Sequence, residues 1–214
     1  MTLANGLIFL AVGLAACSST VMVKVPPRMI LDRNQTVGIV RFKVEGATGG
    51  DHNATSKFLE AIQEGQPGIP IVELGSSAEV LGAVGKSELD GEAVQEIGKK
   101  FKVDAVIFGT VQMKESKPKV DVGLDQGFKL GAVKAEIRLD GSLNAKLVNT
   151  TRGATLWMGS SSRWINLAHA GGSTAGVGWV DLPDRDRQYE KLIFDMAREA
   201  STDFRPTWER QPKP

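Results

Sequence analysis

The chain has one cysteine, Cys17, and it directly follows an apolar run, Leu7–Leu14, and two alanines. No disulfide can form within one copy, so the fold must be held by packing and hydrogen bonding alone. The apolar run is too short for a permanent membrane helix, which takes about 20 apolar residues. Beyond residue 16 the chain is long enough for one domain with a sizeable core. The formal net charge is +1. With neither a basic footprint nor an acidic tail, nucleic acid is not expected as a partner.

Leu14-Ala15-Ala16-Cys17 resembles the lipobox that closes a bacterial lipoprotein signal peptide. The resemblance implies that the Cys17 thiol receives a diacylglyceryl group. The peptide bond after Ala16 is then cut, and Cys17 becomes the acylated N-terminus. Two other readings fit the same residues: an ordinary signal peptide with an incidental cysteine, or a short apolar helix of the fold. If Cys17 is acylated, the membrane is held through the acyl chains, each buried methylene contributing about 0.8 kcal/mol. Ser18 follows the cysteine, rather than the Asp that often retains lipoproteins at the inner membrane. By the same resemblance the expected location is the periplasmic face of the outer membrane.

Residues 17–35 read as an acylated cysteine and a tether, with Pro26-Pro27 and no sustained period. Ser18–Gln35 reaches at most about 60 Å when fully extended. Residues 36–205 read as a single α/β domain and 206–214 as a tail. Val37–Phe42 is a nearly continuous apolar run, as in an interior strand. Ala54, Phe58, Leu59 and Ile62 share a helical face after the cap candidates Asp51-His52-Asn53. Pro67-Gly68 stops that helix before a strand at Ile69–Leu74. Ser76-x-x-Glu79 has the form of a capping box, and Asp90 can start a helix facing inward through Val94, Ile97 and Phe101. Val103–Val111 is the strongest strand, and the charged stretch Met113–Gln126 reads as a solvated loop. From Val133 to Leu147 apolar and polar residues alternate, and Ala154–Ile165 returns beyond a turn at Asn149–Gly153. Tyr189, Leu192, Ile193, Met196, Ala197, Ala200 and Phe204 lie at helical spacing before Pro206. The expected fold is α/β: a mixed sheet flanked by helices, with an antiparallel strand pair and a C-terminal amphipathic helix.

The segments VGIVRF (Val37–Phe42), IGKKFKVDAVIFGTV (Ile97–Val111), AKLVNTTRGATLWMGSSSR (Ala145–Arg163) and LIFDMAREASTDFRP (Leu192–Pro206) come in a familiar order. That order resembles the curli-secretion, CsgG-like lipoproteins and relatives that share the TolB N-terminal-domain fold. Those relatives include polysaccharide-export lipoproteins and lipoprotein activators of cell-wall synthases. The resemblance covers roughly Val37–Arg205 and is one of element order more than of invariant residues. It implies self-association, in a ring for some relatives, in cell-envelope export. Pore formers of this kind insert β-hairpins whose strands need about 9–11 alternating residues. The charges of Met113–Gln126 do not suit a lipid face, and Val133–Leu147 occupies the place of a core strand. The short tether does not suit an activator that reaches through the cell wall.

Little points to an enzyme. His52 and His169 are the only histidines and have no partners at ligand spacing, so no metal site and no catalytic group is expected. Gly85-Lys86-Ser87 lacks the leading glycine and preceding strand of a phosphate loop. Asp121-x-x-x-Asp125-x-Gly127 lacks a calcium loop's middle ligand, and Asp181, Asp184 and Asp186 suit turns and a helix N-terminus. No cofactor is expected. The tryptophans Trp157, Trp164, Trp179 and Trp208 cluster toward the end of the chain, where core and interfacial roles are both open. Beside Trp179 runs an uncharged glycine-rich loop, Ala170–Gly178, with Gly171, Gly172, Gly176 and Gly178. Loop and tryptophans together are the candidate contact with membrane, partner or a neighbouring subunit. The expected function is an outer-membrane-anchored, non-enzymatic oligomeric scaffold in envelope export, with an outer-membrane or periplasmic export partner. The alternative is a monomeric accessory lipoprotein docking on a periplasmic partner.

Overall fold

The computed structural model describes residues 20–46, 51–124, 130–173, 178–181 and 183–212. The elements in chain order are β1 (Thr20–Val25), β2 (Val37–Val40), β3 (Lys43–Glu45), α1 (Asp51–Gly65), β4 (Ile71–Gly75), α2 (Ser77–Val84) and α3 (Gly91–Phe101). They continue as β5 (Ala105–Glu115), β6 (Lys119–Leu124), β7 (Leu130–Asn149), β8 (Thr155–Ser173), β9 (Gly178–Asp181), α4 (Arg185–Ala200) and β10 (Thr207–Pro212). The signal-peptide and cleavage positions, Ala16 and Cys17 among them, lie outside the described residues.

The chain forms two units. The first is an antiparallel ribbon of β1 and β10, pairing Thr20 with Pro212 and Val25 with Thr207. The stretches expected to be a tether and a tail therefore each contain a strand. The alternation of Val21, Val23 and Val25 is short, and its partner lies at the other end of the chain.

The second unit, Pro26–Pro206, is the α/β fold. It takes in Pro26–Gln35 as well, because Leu31 is buried and its N–H donates to the side-chain oxygen of Gln66 at 2.8 Å. Gln66 also donates to the carbonyls of Met29 and Phe204, tying α1 to the segments before β2 and after α4. The strand order is β4-β2-β5-β7-β8-β9, with β2 parallel to β4 and β5, and the later neighbours antiparallel. β3 runs beside β5, and β6 beside β7, each along only part of the longer strand.

One sheet face packs on α1 and α4. Phe42, Phe58, Trp157 and Phe204 form a chain of rings there, with centroids 5.0, 6.2 and 4.6 Å apart. The other face packs on α2 and α3 through Val40, Val80, Val94, Ile97, Val106 and Val148. The helix starts follow local chemistry: Ser76 and Glu79 close a reciprocal capping box, Asp90 caps α3 at the Ala93 N–H, and Asp184 caps α4. α4 ends at Ala200, and a single tight turn, Thr202–Phe204, follows it. At the β7–β8 turn Gly153 adopts φ +64°, where other residues are strained.

Two expected loops are strands. β5 runs on to Glu115, and β6 occupies Lys119–Leu124 within the stretch expected to be a solvated excursion. Charge does not prevent strand formation because residues alternate between faces, and Pro118 sits just ahead of β6, where no ladder bond is lost. Ala170–Ser173 belong to β8, and Gly178 begins β9. Gly176 lies outside the described residues. Asp181 ends β9 opposite His169 rather than sitting in a turn. Among the described residues no helix is long and apolar enough to cross a membrane.

Candidate interaction surface

The two faces of the sheet are not equally covered. α1 and α4 underlie β7 and β8, whereas the packing of α2 and α3 reaches across only as far as Val148 of β7. The outer face of β7 and β8 has no helix over it among the described residues. Along β7 the side chains of Leu139, Leu143, Ala145 and Leu147 are buried, and those of Lys134, Arg138, Ser142, Asn144 and Lys146 alternate with them on the open face.

The register of β8 divides the tryptophans. Trp157 pairs with Leu147 and points inward; it is 7 % exposed, packs on Phe58 and Phe204, and donates its indole N–H to Asp203 at 3.1 Å. The expectation that Trp157 makes an intermolecular contact is thereby corrected: it is a core residue, because it falls in phase with the inward row. Trp164 pairs with Asp140 and stands on the open face, 57 % exposed, with the Arg138 guanidinium 5.3 Å from its ring centre. Arg138 in turn bridges Asp140 at 2.8 Å. Gln112, Lys114, Asp140, Ser142 and Ser162 line an open groove beside Trp164.

Trp179 lies farther along the same face. It pairs with Gly171, and Gly172 pairs with Gly178. A Cβ on Gly171 would come within 2.8 Å of the Trp179 indole, so the ring rests directly on the glycine backbone while remaining 54 % exposed. A side chain at 171 must displace it. Gly171→Val is expected to shift Trp179 emission to the red without changing the far-ultraviolet dichroism. Unchanged emission would show that the indole does not depend on this contact.

Sequence reasoning missed Met158 and Leu156, which are 63 % and 49 % exposed on the same strand. Their signal was present: Met158 is out of phase with Trp157 by one residue. Beside this apolar row β8 has a second opening. β9 pairs only with His169–Gly172, so among the described residues Thr155–Ala168 has no strand on the side away from β7.

The helix side of β8 is pinned by charge. Glu199 of α4 accepts from Ser161 at 2.5 Å and from Arg163 at 2.8 Å, and these bonds, Ser161 first, hold its carboxyl below the usual range. At the other end of α4, Tyr189 and Arg185 do the same for Glu115 of β5. Among the described residues no group of three or more His, Cys, Asp or Glu is placed to hold a metal ion.

No family model matches the chain, and no curated protein matches it. Solved structures to which the chain is similar include a PelC dodecamer from Paraburkholderia phytofirmans, at 12 % identity and TM-score 0.42, covering 86 % of this chain and 97 % of that one. Lipoprotein GNA1162 from Neisseria meningitidis is 17 % identical at TM-score 0.39, over 62 % of this chain and 83 % of that one. The LpoB C-terminal domain from Salmonella enterica is 11 % identical at TM-score 0.38, over 62 % and 84 %.

Proposed function

We propose that this protein is a non-enzymatic lipoprotein, anchored at the periplasmic face of the outer membrane through Cys17, that self-associates as a scaffold in CsgG-like envelope export. The observation that carries the self-association is the open flank of β8. A strand edge with unpaired N–H and C=O groups is a template for another chain, and natural proteins normally cover it or blunt it with charge or proline. From Thr155 to Ala168 the only charged residue is Arg163, whose side chain is engaged by Glu199, and there is no proline. Met158, Trp164 and Trp179 stand on the face beside that edge, and large aromatic side chains are the usual anchors of protein contacts. The motif Leu14–Cys17 supports the membrane attachment. Self-association would multiply the anchors, and each additional anchor binds at the high effective concentration set by the others.

The mass of the acylated protein in mild detergent, corrected for the micelle, tests this. A defined homo-oligomer that dissociates when Met158 and Trp164 are both replaced by Asp is the expected result. A monomer would overturn the scaffold and leave the accessory reading, in which a different periplasmic protein occupies the β8 flank.

A further inference from the structure

The β1–β10 ribbon cannot be explained by its own stability. Two strands without a packed face are marginal in water at best, and three strands or a packing partner are needed for more. Its two faces differ. Paired residues point to the same side, so one face carries Val21, Val23, Val25, Thr207, Glu209 and Gln211, and the other Met22, Lys24, Trp208 and Arg210 between Thr20 and Pro212. On the first face Val23, Val25 and Thr207 are half-buried. On the second, Met22, Lys24, Trp208 and Arg210 are all exposed.

The exposed face combines two cations, no carboxylate, an indole and a thioether. Lys24 lies directly across from Trp208, and Arg210 directly across from Met22. Among the described residues neither cation has an ion-pair partner, and the one nearby acid of the ribbon, Glu209, is on the opposite face. Tryptophan favours the headgroup level of a bilayer, where its ring is half in hydrocarbon and its N–H in water. Basic side chains close to an anionic surface are drawn to it over a Debye length. Position along the chain agrees: Thr20 is three residues after Cys17, a span of at most about 10 Å.

We infer that the Met22–Lys24–Trp208–Arg210 face of the ribbon lies against the anionic headgroups of the membrane that holds Cys17. This rests on the anchoring reading and adds a second contact to it. An acyl anchor alone is a swivel. A ribbon laid on the surface fixes the angle at which the chain leaves the membrane.

Tryptophan quenching tests the contact. The mature acylated protein is placed in vesicles of phosphatidylcholine and phosphatidylglycerol in equal parts, with or without bromine high on the acyl chains. Part of the emission should be quenched by the brominated lipid, and Trp208→Phe should remove that part. Lys24→Glu with Arg210→Glu keeps the indole and should also lose most of the quenching. Equal quenching in the parent and Trp208→Phe, with the protein still floating with the vesicles, would overturn the ribbon contact and leave the anchor intact. Protein that does not float at all would overturn both.

Discussion

Cys17→Ala is expected to transfer the protein from the membrane fraction to the soluble fraction. A single acyl chain holds a protein only marginally, whereas two or more hold it stably. A mature lipoprotein bears at least two chains, both attached through the glyceryl thioether, so removing the sulfur removes them together. Among the described residues no helix is long and apolar enough to span a bilayer in their place. The ribbon face, with two cations and one indole, would give only weak and salt-sensitive adsorption once the anchor is gone. A high-salt wash therefore belongs in the experiment. A variant that remains membrane-bound after it would show that Cys17 is not the attachment point.

Trp157→Ala is expected to cost about 3–5 kcal/mol in a denaturant titration, as large-to-small substitutions at packed aromatic sites do. That is a large part of the roughly 5–15 kcal/mol typical of a domain. The ring lies between Phe58 and Phe204, so its loss opens a cavity where β8, α1 and the turn after α4 meet. It also leaves Asp203 without the indole N–H. Trp164→Ala, by contrast, removes a ring that is more than half exposed and should alter stability little. Comparable losses for both would contradict the division of the two tryptophans between core and surface.

That division is legible in the sequence once the strand is known. Positions 157 and 164 differ by an odd number, and within one strand odd spacing puts two side chains on opposite faces. Clustering along the sequence suggests a shared role instead, and it misleads. The helices are legible because their signals are local: the Ser76–Glu79 box, Asp90 and the apolar face of α4 each lie within a few residues. So is the order of strands and helices through β5. The stretch from Met113 to Gln126 misleads when its charge is weighed as composition rather than as alternation. The pairing of β1 with β10 joins opposite ends of the chain, and no short pattern announces it; the β8–β9 hairpin that seats Trp179 on Gly171 is local, but its glycines read as a loop. Within the candidate surface Gly171 pairs with Trp179 and Gly172 with Gly178, Trp164 stands apart along the same face, and Met158 and Arg138 emerge only from the register.

The antiparallel sense of the ribbon has a practical side. Thr20 is opposite Pro212, so the chain enters and leaves the ribbon at the same end. Whatever is fused after the last residues is thereby carried beside the N-terminal attachment point. Under the proposed anchoring through Cys17, a reporter or affinity tag placed there would be held beside the bilayer.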